Sequence, residues 1–479
     1  MRPGCPSSTL VCAAGSRGRV RDALWRWTGP VLLMVGIQYL APSLKAASAG
    51  SDVDRGIAQR LITAATNGTT AMARLAELCD TFGPRLSGST NLEAAIDWIL
   101  ATLVSDGFDR VRGEPVKVPH WVRGPASLEG RDPAIGEIPL LALGGTVGTP
   151  PAGIEAPVLV VTNYAELNAR PERAVGRIVV FNPPFISYGD IVRYRSGGAN
   201  AAAKAGAVAS LVRSATPFSL RTPHTGAMNY EEGVRKIPHA AIATEDADRL
   251  ARLQARGITP VLRLVLSATV LPDADSRNIV AEIRGWERPG EIVVVGGHVD
   301  SWDVGQGTLD DAGGCLAAWE ALRLIKTVGR QPRRTLRLVL WTNEENGLRG
   351  AKAYAETHRD ELDRHVIAIE SDSGIGPVKG FAFTGSQEAD RRLRAVMPLL
   401  ATIGADGLKA GAGGADLGPL LQRGVPTMDL WTERTDYFWF HHSAADTVDK
   451  MNPAELNRCV AALAVMLDAL GNLPEPLPR

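Results

Sequence analysis

Apolar and polar positions alternate in different ways along successive stretches of the chain. Over residues 57–78 and 92–104, apolar residues recur at intervals of three and four, the spacing of an amphipathic helix. Asn67-Gly68 interrupts the first stretch, and Ser87-Gly88-Ser89-Thr90 offers capping hydroxyls ahead of the second. From Arg123 onward proline and glycine become frequent. Short apolar runs at 158–161, 178–181 and 209–212 are separated there by turn residues, which predicts a separate β-rich domain over 123–274. Beyond Pro272-Asp273-Ala274-Asp275 the texture changes again. Apolar strands predicted at 279–283, 292–296, 335–341, 365–369 and 427–430 alternate with helical stretches at 312–327, 348–357, 388–400 and 453–470. That alternation predicts an α/β fold, with a mostly parallel sheet flanked by helices on both faces.

A chain of 479 residues is too long for one ordinary core, so two folded parts are expected. The main part comprises 50–122 and 275–479, to either side of the β-rich stretch. Charged residues make up 22% and cancel to a formal net charge of zero, which leaves no electrostatic footprint for nucleic acid or an anionic membrane. Residues 1–49 have the order of an export signal: Arg17, Arg19, Arg21 and Arg26, then an apolar run over 30–40, then Ala47-Ser48-Ala49. Gly36 interrupts the run, which is too short to cross a bilayer as a stable helix. Cleavage after Ala49 and a secreted or periplasmic protein are therefore expected. Of five cysteines, Cys5 and Cys12 precede that point, and Cys79, Cys315 and Cys459 show no C-x-x-C spacing. They read as buried apolar residues rather than a disulfide frame or a metal site.

The candidate chemistry gathers where the predicted strands end. His298 follows the strand at 292–296, Glu344 and Glu345 follow 335–341, and Asp372 follows 365–369, the edge at which open α/β sheets bind ligands. Asp310 and Asp311 stand at the start of the next predicted helix, where an isolated acidic pair would read as a helix cap. Two histidines and three carboxylates converging on one edge form a nitrogen and oxygen donor set suited to zinc. Five ligands are too many for one catalytic ion and fit two. A carboxylate shared by ions about 3.5–4 Å apart would let them hold a water between them as a hydroxide nucleophile. The spare member of the adjacent glutamate pair would carry the proton to the leaving amine. Asp300, two residues past His298, is expected to fix that imidazole's tautomer by a hydrogen bond.

These residues stand in recognisable surroundings: Gly297-His298-Val299-Asp300-Ser301-Trp302-Asp303, Gly307-Thr308-Leu309-Asp310-Asp311-Ala312-Gly313-Gly314, Asn343-Glu344-Glu345-Asn346-Gly347, Glu370-Ser371-Asp372-Ser373-Gly374 and His441-His442-Ser443. Together with Phe82-Gly83-Pro84-Arg85-Leu86-Ser87-Gly88-Ser89 and Pro119-His120-Trp121-Val122-Arg123-Gly124, they resemble the co-catalytic di-zinc peptidases, the family of bacterial leucyl aminopeptidases and glutamate carboxypeptidases. The resemblance implies two zinc ions bridged by Asp310, with His298 and Asp372 on one, Glu345 and His442 on the other, and Glu344 as general base. It places the histidine ligand directly before a serine or threonine, which favours His442 and leaves His441 lining the substrate site. It also implies that 123–274 is an inserted protease-associated domain roofing the cleft, through Gly176-Arg177-Ile178-Val179-Val180 and the alanine-rich run over 199–208. A homodimer acting on dipeptides or short peptides would follow.

The rival from another class is a receptor on the same scaffold, which would be free to lose ligands that this chain retains. A cyclising acyltransferase would keep fewer metals, and nucleotide binding at Gly305-Gln306-Gly307 lacks a third glycine. His120, His224, His239, His358 and His365 read as surface or core residues. Specificity is left open: Glu433, Arg434 and Asp436 share one loop and offer both a carboxylate for a free amine and a cation for a free carboxylate.

Overall fold

The computed structural model describes residues 45–479 except 133, 412 and 413. Most of the export-signal stretch, and the middle of the Gly411–Gly414 loop, therefore lie outside the described residues. The helical periodicity at the start becomes α1 (Lys45–Thr66), α2 (Thr70–Phe82) and α3 (Thr90–Ser105). The break falls at Asn67-Gly68, and Ser89 caps α3 by accepting from the Leu92 amide.

The fifteen strands of residues 49–479 make two sheets. The larger one contains β1 (Asp109–Val122), β9 (Thr269–Ile283), β10 (Arg288–His298), β11 (Arg334–Trp341), β12 (His365–Glu370), β13 (Val378–Thr384), β14 (Gly407–Ala410) and β15 (Thr427–Thr432). Their order is β1-β9-β11-β10-β12-β15-β13-β14. The central neighbours β11, β10, β12 and β15 run parallel, whereas β9 on one flank and β13 on the other are antiparallel to them. Alternate residues of each strand serve opposite cores, as a two-residue period demands. Val293, Val295, Leu336, Leu338 and Leu340 pack on the side of α1 to α3, while Ile292, Val294, Val339 and Trp341 face the other layer. The crossover helices cover both faces, so these strands are apolar on both sides.

The second sheet contains β2 (Ala126–Gly130), β3 (Leu140–Ala142), β4 (Ile154–Val161), β5 (Ile178–Phe181), β6 (Ala209–Arg213), β7 (His239–Ile242) and β8 (Val261–Leu266), ordered β2-β8-β4-β5-β6-β7-β3. It is less purely β than its composition predicts. Three helices, α4 (Tyr164–Ala169), α5 (Tyr188–Lys204) and α6 (Thr244–Ala255), belong to it, and the alanine-rich run lies largely in α5. The boundary drawn after 274 falls inside β9, which pairs with β1 along its whole length. Pro272 has no amide to give a ladder, and it sits where the β1–β9 register shifts between Val118 and His120. The chain leaves the β1–β9 ribbon after Val122 and rejoins it at Thr269.

The remaining helices, α7 (Gly313–Thr327), α8 (Arg349–Thr357), α9 (Gln387–Val396), α10 (Gly418–Leu421), α11 (Tyr437–Phe440) and α12 (Pro453–Asn472), complete the larger layer. Cys79, Cys315 and Cys459 are free and buried. No helix among the described residues is long and apolar enough to cross a membrane.

A buried ionic network ties β1 to the segment that follows β11. His358, just past α8, lies 3.0 Å from both Glu114 carboxylate oxygens on β1 and 2.6 Å from Glu361. Arg337 of β11 donates to Glu361, to the Tyr354 hydroxyl and to Glu282. Burial opposes the charge on His358, but its bonds to Glu114 and Glu361 outweigh burial and raise the imidazole above its ordinary 6.5. The stabilisation is therefore complete below pH 6.5 and decays as pH rises through the raised value. His358→Gln should lower stability at pH 6 by about 2 kcal/mol. It should also flatten the fall of the urea midpoint between mildly acid and alkaline pH that the unsubstituted protein shows.

Candidate metal centre

Each candidate ligand is carried to the same edge of the larger sheet by a different segment. His298 ends β10, Glu344 and Glu345 follow β11, Asp372 lies two residues past β12, and His442 follows α11. Asp310 and Asp311 precede α7, but their backbones are not helical and neither caps that helix. Asp310 instead reaches two ways. Its Oδ1 is 3.3 Å from His298 Nε2, and its Oδ2 is 3.1 Å from His442 Nε2 and 3.2 Å from His441 Nε2. His298 Nε2 also lies 3.5 Å from Asp372 Oδ1, and His442 Nε2 lies 3.0 Å from Glu345 Oε2. The five predicted side chains thus form one contiguous group centred on Asp310. His441 stacks on His442 at 3.6 Å and reaches Asp310, but of the two only His442 also reaches Glu345.

Three surrounding contacts differ from what the sequence implies. Asp300 does not hold the His298 ring through its carboxylate: Nδ1 lies 2.9 Å from the Asp300 main-chain oxygen and 3.8 Å from Oδ1. The carboxylate turns instead to the glutamate loop, accepting the Glu344 amide at 3.0 Å and the Glu345 amide at 3.4 Å. Asp311 accepts the His298 amide at 3.1 Å and stands within reach of His298 and Asp372 as a further donor. Gly314 leaves it room, since a Cβ there would fall 2.3 Å from Asp311 Oδ1.

Two further residues, unassigned from sequence, clamp the loop before Asp310. Arg85 is fully buried and donates to the main-chain oxygens of Gly83, Val299, Gln306 and Gly307. Asp446 accepts the amides of Thr308, Leu309 and Asp310. Arg85 lies in one of the quoted motifs. Its carbonyl partners could not be read there, because main-chain acceptors leave no mark in sequence.

The electrostatics fit a cation. Asp300, Asp310, Asp311, Glu345, Glu370 and Asp416 are all buried around the site. Burial, and then repulsion from Asp310, pushes Glu345 up to about 7. Burial and neighbouring carboxylates likewise raise Glu344, Asp311, Glu370 and Asp416. Asp311 Oδ1 and Glu345 Oε1 are buried without a hydrogen-bond partner among the described residues. So many buried carboxylates with two imidazoles between them are stable as anions only beside positive charge, which a divalent metal would supply. A cavity of about 560 Å³ opens beside Glu344 and Glu345, lined also by His120, Trp121 and Met228.

Comparison with known proteins finds relatives over most of the chain. Residues 278–467 match peptidase family M28. The chain is 47% identical to carboxypeptidase Q of Xenopus laevis over 428 residues, covering 89% of this chain and 91% of that one. A peptidase M28 precursor from Shewanella amazonensis superposes with a TM-score of 0.86 at 36% identity, over 89% of this chain and 99% of the other. A zinc aminopeptidase of Bacillus subtilis shares the fold, with a TM-score of 0.64 at 20% identity over 83% and 93% of the two chains.

Because the Asp300 carboxylate orders the glutamate loop, Asp300→Asn should leave the fold intact while lowering kcat/KM about 10- to 100-fold. An unchanged kcat/KM in a folded variant would show that the loop holds its place without that charge.

Proposed function

Since the chain belongs to peptidase family M28, and so is a metallopeptidase, we propose that it is a two-zinc exopeptidase cleaving dipeptides or short peptides. The observation that carries this reading is Asp310, whose two oxygens face His298 on one side and His442 on the other. His298 and Asp372 would hold one ion, Glu345 and His442 the second, and Asp310 both. Bound there, the ions supply Lewis-acid polarisation of the scissile carbonyl and lower the pKa of water at the site.

The proton traffic belongs to Glu344. Its carboxyl takes a proton from the attacking water and delivers it to the nitrogen of the breaking C–N bond, so the leaving amine departs neutral. Burial, reinforced by Asp372 and Glu345, raises its affinity for that proton. The hydrogen bond from the Glu344 main-chain amide to the Asp300 carboxylate holds its backbone in place. The rival receptor reading has no use for a half-buried proton carrier beside a full ligand set.

Arg195 supports action at a free carboxyl terminus. This α5 residue brings Nη1 to 3.4 Å from His442 Nδ1 while donating to the Tyr188 hydroxyl at 2.8 Å and the Thr225 carbonyl at 3.4 Å, and its Nε is buried with no hydrogen-bond partner among the described residues. Gly226 makes space for it, since a Cβ there would meet Arg195 Cζ at 2.3 Å. Arg434 is engaged by the Ser373 hydroxyl and the carboxylate of Asp429, and Glu433 is bound to Thr435 and the Arg434 amide. A carboxylate-binding cation beside the metal centre suits a carboxypeptidase or dipeptidase better than an aminopeptidase. The proposal includes export by residues 1–49 to a secreted or periplasmic location, a homodimer, and a protease-associated role for 123–274.

The test is hydrolysis of a free dipeptide before and after chelation and zinc readdition, alongside substrates blocked at either end. Turnover lost on chelation, restored by zinc and abolished by blocking the carboxyl terminus is expected; no turnover by zinc-loaded protein would overturn the reading. Glu344→Gln should lower kcat at least about 100-fold while two zinc ions stay bound, and Asp310→Ala should lose metal as well.

A further inference from the structure

The second sheet does more than border the metal centre. His442 has a left-handed backbone, φ 60°, which a β-carbon disfavours, so the surroundings must impose it. The imposing contacts come from one short segment of the second-sheet layer. The Thr225 amide donates to the His442 carbonyl at 2.8 Å. The His224 imidazole donates from Nδ1 to the His441 carbonyl at 2.7 Å. His224 also bridges to Ser443 across the chain, so both sides of the His441-His442 turn are bound to this segment.

The segment itself is rigidly held. His224 is buried, and its own amide donates to Ser214 Oγ, which bonds the end of β7 at Ile242. Thr225 Oγ donates to Ala142 of β3. The Thr225 carbonyl lies 3.3 Å from His442 Nδ1, so it can accept that proton and leave Nε2 to face Asp310 and Glu345.

We infer that His224 is a positioning residue for the metal centre: its Nδ1–H, with the Thr225 amide, holds the His441-His442 backbone in the turn that presents His442 Nε2 as a ligand. The second-sheet layer therefore completes the metal site rather than only covering it. The inference rests on the two-zinc reading above.

Asparagine places an amide N–H close to where the histidine Nδ1–H lies, and leucine has similar size with no donor. The experiment compares His224→Asn with His224→Leu by zinc affinity in competition with a chromogenic chelator, by the visible spectrum of the cobalt-substituted protein, and by kcat and KM. The leucine variant should bind its weaker zinc about 10- to 100-fold less tightly, with an altered cobalt spectrum and unchanged KM at saturating zinc, and asparagine should restore the affinity. Leucine and asparagine variants that both match the unsubstituted protein would overturn the inference. Should the leucine variant not fold, His224→Gln replaces it, because its amide sits nearer the Nε2 position; affinity equal to that of the asparagine variant would then overturn it. Failure of the unsubstituted protein to bind two zinc ions would count against the two-zinc reading instead.

Discussion

The structure depends on gathering carboxylates where water is largely excluded. Five buried acidic side chains, Asp300, Asp311, Glu345, Glu370 and Asp416, surround Asp310, and each raises the cost of charging its neighbours. Main-chain amides offset only part of that negative charge. Asp300 and Asp446 are satisfied by main-chain amides, Asp311 receives an amide on Oδ2 alone, and Arg85 spends its donors on carbonyl oxygens. Asp310, Glu345 and Asp372 face imidazole nitrogens instead, and such a cluster is a metal site by its chemistry. The amide-bound carboxylates serve a different purpose: each fixes a loop that carries a candidate donor or Glu344.

That division explains why the parallel centre of the larger sheet is so regular. Strands β10, β11 and β12 end side by side, so short loops deliver His298, the glutamate pair and Asp372 to one place. Those strands are anchored by alternating aliphatic side chains to layers on both faces, which gives the loops a rigid base. His442 lacks this support. His442 follows a four-residue helix with no buried residue, and its position is set from outside, by His224 and Thr225. Trp302 ties the two layers together from the other direction, its ring buried in the second sheet's core against Gly144.

The strand–helix alternation was legible in the chain because burial on two faces forces continuous apolar strands and helix-spaced stripes, and β9 to β12, β15 and α7 to α9 and α12 lie where those patterns place them. The convergence of the donor residues was legible for a chemical reason: histidines and carboxylates at strand ends have few structural uses together. What sequence could not carry was direction. Asp300 sits next to a metal-type histidine yet serves the glutamate loop, because only the folded path brings the Glu344 and Glu345 amides to its carboxylate. Asp311 looked like a cap and is a buried acceptor. Strand β13 is broken by Lys379 and Gly380 and β14 has only four residues, so neither announces itself. His224, Arg195, Arg85 and Asp446 act through main-chain partners or across more than 130 residues of chain, contacts that leave no local period. The sequence by itself thus determined the elements and the chemistry of the donors, since both follow from local pattern and residue type. Only the tertiary structure decided which carboxylate serves which partner and that the second sheet holds the final histidine, because those follow from proximity across distant segments.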